Sequence, residues 1–133
     1  MAKNTPPILG PKANSRLRAS LFRPARVAVA SLTGENIDLC FGRAEEFRVY
    51  ALNLQESPPS YALMEIRHAP RPCRDQKHDQ ALLKETAELL KDCPLVLAGR
   101  LGPGALSELA RVGILGLSAP LSVNEALKRL AAG

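Results

Sequence analysis

Two short runs of uninterrupted apolar residues, Val27-Ala28-Val29-Ala30 and Leu95-Val96-Leu97-Ala98, constrain the fold of this chain most. A strand that reads apolar at every position, rather than at every second one, is covered on both faces, as in a sheet with parallel neighbours and helices on either side. These two runs therefore belong at the centre of a sheet. Phe47-Arg48-Val49-Tyr50-Ala51 alternates instead, as does Ala62-Leu63-Met64-Glu65-Ile66-Arg67, with Ala62, Met64 and Ile66 assigned to one face. Ser57-Pro58-Pro59-Ser60 divides them as a turn, which gives two antiparallel strands after the first.

The second half reads as helices separated by strands. From Asp79 to Lys91, Leu82, Leu83, Ala87, Leu89 and Leu90 recur at helical spacing opposite Lys84, Glu85, Glu88 and Lys91, the pattern of an amphipathic helix. Pro103 suits the first turn of a second helix that carries Leu106, Leu109 and Ala110 inward and stops at Gly113, before a short strand Ile114-Leu115-Gly116-Leu117. Ser122 and Glu125 have the spacing of a capping box and open a last helix through Ala126, Leu127 and Leu130. The fold class is α/β: a mixed five-stranded sheet, three antiparallel strands followed by alternating helices and parallel strands with right-handed crossovers. In such sheets ligands bind outside the carboxyl ends of the parallel strands. Here those ends are the loop from Ala30 to Cys40 and the loop Gly99-Arg100-Leu101-Gly102-Pro103-Gly104.

Net charge is +5, but the surplus lies at the N-terminus. Lys3, Lys12, Arg16, Arg18, Arg23 and Arg26 precede the first apolar run with no acid among them, and the remainder of the chain is close to neutral. With Pro6, Pro7, Pro11 and Pro24 and few large apolar groups, residues 1–25 are expected to form a disordered basic tail, solvated or partner-seeking and faintly similar to an organelle transit peptide. Residues 26–133 then form one folded domain, a length sufficient for a real core. No apolar run is long enough to span a bilayer, and a secretory h-region is missing, so the expected location is cytoplasmic and no membrane partner is expected. Three cysteines in such a chain point to reduced thiols rather than a disulfide framework.

The loop after the first strand carries the chemistry. Within Asn36-Ile37-Asp38-Leu39-Cys40-Phe41-Gly42-Arg43-Ala44-Glu45-Glu46-Phe47, Cys40 offers a soft sulfur ligand, Gly42 lets a ligand approach backbone, and Arg43 adds a cation. That set suits a bound anionic metal species better than acid-base catalysis. The plainer alternative for Cys40 is a small buried hydrophobe. Cys73 and His78, on the connection before the first helix, are further candidate metal ligands, although one Cys and one His five residues apart lack the second pair of a zinc pattern. Cys93, beside Pro94, reads as a packed core thiol. Arg67, His68, Arg71, Arg74 and Lys77 gather near that connection, and Arg43 and Arg100 stand on the two loops, a cationic rim able to attract an anionic cluster. Gly102-Pro103-Gly104 opens a helix whose free N–H groups and dipole favour an anion, though the same turn is an ordinary helix start and lacks the spacing and Lys of a P-loop.

Several ordered motifs together resemble the dinitrogenase iron-molybdenum cofactor biosynthesis family from Arg26 to about Leu130. They are Val27-Ala28-Val29-Ala30-Ser31, the Ile37 to Phe47 segment, the Asp92-Cys93 pair before the central strand, and Gly102-Pro103-Gly104-Ala105. The resemblance implies a ribonuclease H-like fold and binding of iron-sulfur-based clusters. It points to Cys40 and Cys73 as metal ligands; taken with the residue chemistry above, the expected cofactor site is Cys40, Phe41, Gly42, Arg43, Arg100, Gly102 and Gly104, with His78 as a further candidate metal ligand. One departure stands out: the family usually has histidine before Phe-Gly, where this chain has Cys40. The implied role is a carrier or chaperone for the iron-molybdenum cofactor or a precursor, with nitrogenase or cofactor-assembly proteins as partners. The rival is a regulatory or protein-interaction domain of the same fold that has lost cluster binding. No enzymatic activity is expected: neither central strand carries an acid for two-metal phosphodiester chemistry, and no nucleophile elbow is present. Nucleic acid is an unlikely partner, because 4% aromatic content offers few stacking platforms.

Overall fold

The computed structural model describes residues 13, 17, 25–53, 60–69 and 80–132. Five strands form one sheet: β1 (Ala25–Val29), β2 (Glu46–Asn53), β3 (Ser60–His68), β4 (Leu95–Ala98) and β5 (Leu115–Ser118). Their order is β3-β2-β1-β4-β5. β1 pairs antiparallel with β2 and parallel with β4, β2 pairs antiparallel with β3, and β4 pairs parallel with β5. The two runs that are apolar throughout are thus the central pair, and every residue of β4 is buried. Three helices follow: α1 (Gln80–Leu89), α2 (Pro103–Arg111) and α3 (Val123–Ala132). No helix among the described residues is long and apolar enough to cross a membrane.

The period-two alternation of β1 and β4 feeds two cores. Val27, Val29, Leu95 and Leu97 face α3 with Val123, Ala126, Leu127 and Leu130. Ala28, Ala30, Val96 and Ala98 face α1 and α2 with Leu83, Ala87, Leu90, Ala105 and Leu109. Each large side chain buried this way contributes about 1.5–3 kcal/mol. α3 starts at Ser122, whose Oγ accepts the Glu125 N–H at 3.0 Å, whereas the Glu125 carboxylate accepts from Arg129 Nε at 2.9 Å instead of turning back to complete the box. Gly113, at φ +82°, ends α2 in the left-handed region that glycine occupies without strain.

Three expectations change. The single apolar face assigned to Ala62, Met64 and Ile66 is broken by a bulge: Ile66 lies opposite Arg48, Glu65 opposite Val49 and Leu63 opposite Tyr50, leaving Met64 unopposed. Ala62 lies opposite Ala51, three residues from Arg48, so Ala62 and Ile66 occupy opposite faces. β3 is an edge strand and keeps Leu63, Met64 and Ile66 exposed. On α2 the inward residues are Ala105, Glu108 and Leu109, while Leu106 and Ala110 are exposed; a buried glutamate hides the true phase of the helix from a hydrophobic count. Finally, within the stretch read as a tail, Ala13 and Leu17 have helical backbone and are buried in the core cluster around α3. The rest of residues 1–24, the Ser57 to Pro59 part of the turn, and Cys73, His78, Arg71, Arg74 and Lys77 lie outside the described residues.

Candidate functional site

The loop after β1 is held in two stages. In its outer part, Ser31 Oγ accepts the Gly34 N–H at 2.8 Å, with Gly34 at φ +90°. Asp38 Oδ1 accepts the Leu32 N–H at 3.2 Å, and Arg48 Nη2 donates to the Leu32 carbonyl at 3.1 Å. Backbone bonds from Ile37 N–H to the Leu121 carbonyl and from Val123 N–H to the Glu35 carbonyl, both 2.9 Å, stitch this part to the start of α3. In its inner part, Leu39 donates to the Ala30 carbonyl and accepts from the Gly99 N–H, and Phe41 donates to the Arg100 carbonyl at 3.0 Å. Cys40 and Arg100 are consequently partners in a short parallel backbone pairing beyond the end of β4.

Gly99 makes that approach feasible. A Cβ at this position would lie 3.2 Å from the Ile37 carbonyl oxygen and 3.5 Å from that of Leu39. Backbone oxygens in a stitched loop give way less readily than a side-chain end, so the absence of a side chain lets the two loops lie against one another.

The candidate residues separate into groups by position. Phe41, Gly42 and Arg43 form one 3-10 turn after Cys40. Phe41 is buried, its ring 5.3 Å from that of Phe47, and so anchors the turn in the core. Gly42 and Cys40 are half-buried, and Arg43 and Arg100 are exposed. Gly102 caps α2 at φ −80° and would meet nothing within 4 Å if given a Cβ; Pro103 takes the first helical position. Gly104 differs: its Cβ would lie 3.1 Å from Gln80 Oε1 and 3.4 Å from Leu83 Cδ1, so its small size serves the packing of α1. Cys40, Gly42, Arg43, Arg100 and Gly102 are thus carried by two adjacent loops at the carboxyl end of the central strands, with Phe41 and Gly104 supporting them from within. Cys73 and His78 cannot be placed against them, since both lie outside the described residues. Among the described residues, no group of three or more His, Cys, Asp or Glu side chains could hold a metal ion.

Asp92 proves to be a centre that sequence reasoning missed. Its carboxylate accepts from Arg67 Nη1 at 2.6 Å and Nη2 at 2.8 Å, and from Arg26 Nη1 at 3.0 Å. Arg67 also donates to the Leu89 carbonyl at 3.0 Å and to Glu65 at 2.9 Å. The two-pronged Arg67 bond holds the Asp92 carboxyl down at about 2, and the same bond raises the Arg67 guanidinium further above its ordinary range. Arg67, one of the cations assigned to the rim, is therefore committed to tying β3 to the end of α1. Cys93, next in the chain, is fully buried, and burial pushes its thiol up to about 12, with the neighbouring Asp92 charge adding to the effect. It packs, as expected, and is kept protonated. An apolar strand preceded by Asp-Cys-Pro gives no sign of which distant arginines meet the aspartate.

Comparisons with known proteins identify relatives of this chain. A family model described as "Dinitrogenase iron-molybdenum cofactor" matches residues 23–133. Protein NifY of Azotobacter vinelandii is 32% identical over 114 residues, covering 86% of this chain and 42% of that protein. The FeMo cofactor biosynthesis protein NifB of Frankia alni is 35% identical over 72% of this chain, and that of Chlorobaculum tepidum 37% over 76%. This chain spans less than half the length of each of these relatives: 42% of NifY, 19% of the Frankia NifB and 22% of the Chlorobaculum NifB. The crystal structure of PH0822 superposes with a TM-score of 0.59 at 18% identity, over 81% of this chain and 91% of the other, which establishes likeness of fold alone.

Proposed function

We propose, since this chain belongs to the dinitrogenase iron-molybdenum cofactor family, that it is a small non-enzymatic carrier that takes up an iron-sulfur-type cluster and hands it on. The cargo is the iron-molybdenum cofactor or a precursor, the recipients are nitrogenase or cofactor-assembly proteins, and the setting is the cytoplasm. A single observation carries the reading: backbone pairing holds Cys40 beside Arg100 at the carboxyl end of the central strands. A soft anionic donor and a cation there match a cluster that is both thiophilic and negatively charged. The ribonuclease H-like description of the fold belongs to the same reading, supported by the order β3-β2-β1-β4-β5 with its first three strands antiparallel.

In this reading Cys40 supplies the thiolate, with Cys73 and His78 as further ligands. Arg43 and Arg100 neutralise cluster charge. Gly42 and Gly102 leave room for close approach, and the free N–H groups at the start of α2 add partial positive charge. Phe41 fixes the turn that presents Cys40, and Gly104 fixes α2 against α1. A small number of ligands, with Cys40 only half-buried, makes exchange easy, which delivery requires. The test is anaerobic incubation with isolated cofactor or its iron-sulfur precursor, desalting, and assay of iron and molybdenum in the protein peak. Near-stoichiometric retention, reduced at least tenfold by Cys40→Ala in a protein of unchanged Tm, is expected. Retention unaffected by the substitution removes Cys40 from the site.

A second reading is a regulatory or interaction domain that has lost cluster binding. One observation favours it: Cys40 stands at the position before Phe-Gly where the family usually has histidine. Failure of the intact protein to retain any cluster decides for it.

A further inference from the structure

A buried carboxylate stands between α1 and α2, outside the cargo loops. Glu108 is 8% exposed. One of its oxygens accepts from Gln80 Nε2 at 2.6 Å; among the described residues the other is buried without a hydrogen bond and faces Arg111 Nε at 3.5 Å as its counter-charge. The position is costly twice over. A carboxylate is desolvated with one oxygen incompletely partnered, and it sits in the second half of a helix, where the dipole disfavours negative charge. A leucine would have continued the apolar face of α2 without either cost.

What the carboxylate does is seize the first residue of α1. Gln80 Nε2, bonded to Glu108, also lies 3.4 Å from the Gly104 carbonyl oxygen, and Gln80 Oε1 rests where a side chain on residue 104 would have to go. One amide therefore touches both the first turn of α2 and its far half. The first turn continues directly from Arg100 and Gly102, and the Leu106 N–H closes it on the Gly102 carbonyl at 3.0 Å. We infer that Gln80 and Glu108 are positioning residues for the cargo site: the pair clamps the start of α2 and so fixes Gly102 and Arg100 opposite Cys40. This rests on the carrier reading above, which gives Arg100 and Gly102 contact with cargo.

Charge pattern at residue 80 tests it. Gln80→Glu sets a carboxylate against Glu108 and should open the clamp; Gln80→Lys replaces the hydrogen bond with an ion pair and should keep it closed. Two readouts are needed, amide hydrogen exchange at Leu106 and retention of the iron-molybdenum cofactor after desalting. In Gln80→Glu, Leu106 exchange should rise and retention should fall, each roughly tenfold, the scale of one hydrogen bond to a charged group. Gln80→Lys should match wild type in both. Faster exchange with undiminished retention overturns the positioning role while leaving the carrier reading intact. Equal exchange in all three proteins overturns the clamp itself. A wild-type protein that retains nothing overturns the carrier reading, and with it the role of the clamp in holding cargo.

Discussion

Replacing Asp92 with asparagine should destabilise this fold by about 1–2 kcal/mol at pH 7. The carboxyl is lowered from its ordinary 3.8 to about 2, which corresponds to about 2.4 kcal/mol. A quarter of the side chain remains in water, so screening reduces that figure to about 1–2 kcal/mol. The Arg67 side chain is only 15% exposed and keeps the Leu89 carbonyl and the half-exposed Glu65 as partners, and the loss of its bond to Asp92 is already contained in that figure. In a domain of about 100 residues this amounts to a fall in Tm of about 5–10 °C.

The pH dependence gives the sharper test, because its sign is fixed. A carboxyl lowered by folding contributes stability that is fully present well above 3.8 and is lost as pH falls toward and through about 2. The gap between wild type and Asp92→Asn should therefore be full at pH 5 to 7 and close progressively on the way to pH 2. Urea unfolding of both proteins across that range measures it. An Asp92→Asn protein within about 0.5 kcal/mol of wild type at pH 7, or a gap of constant size from pH 5 to pH 2.5, would refute the argument.

Other consequences can be checked with simpler assays. Gly99→Ala brings a Cβ to 3.2 Å from the Ile37 carbonyl oxygen and should cost about 1–2 kcal/mol by urea unfolding, with cofactor retention reduced as the Cys40 loop is pushed away; unaltered stability would mean that the loop yields freely. Gly102→Ala meets no atom within 4 Å and should cost less than about 1 kcal/mol as a cap substitution, yet reduce cofactor retention if cargo approaches the start of α2; retention equal to wild type would place the cargo elsewhere. In a Cys73→Ser background, iodoacetamide at pH 8 followed by peptide mass spectrometry should label half-buried Cys40 more than roughly a hundredfold faster than Cys93, whose buried thiol is pushed up to about 12. Comparable rates at the two thiols would contradict the packing described for Cys93.

What could be read from the sequence, and what could not, divides along the range of the interactions. Val27 to Ala30 and Leu95 to Ala98 announce the central strands because burial on both faces is written in every residue of the run. The loops that carry Cys40 and Arg100 follow from topology, since they must lie where those strands end. Contacts between residues far apart in the chain leave no periodic trace. Arg67 looked like one more member of a cationic rim, and only the fold brings it to Asp92, 25 positions away. Glu108 carries no mark in the sequence that it is buried, and only the fold brings it to Gln80, 28 positions away. Met64 shows a third limit, because a bulge shifts the pattern of an edge strand by one residue and a strand read in isolation carries no mark of where its partner slips.

In the carrier reading, long-range contacts let one small sheet present a labile site on a firm base. Backbone bonds fix Leu39, Phe41 and Arg100 relative to the central strands, and the Phe41 ring is packed against Phe47. The geometry that places Cys40 thus comes from main chain and core, while the groups proposed to meet cargo, Cys40, Arg43 and Arg100, stay half or fully exposed. A carrier must release what it binds, and a ligand that bears none of the fold's stability can form and break a metal bond without loosening the protein. Cys40→Ala should accordingly leave Tm within about 2 °C of wild type, the ordinary range for a surface substitution. A much larger fall would show that the thiol is part of the core, and that the division between firm base and exchangeable ligand is wrong.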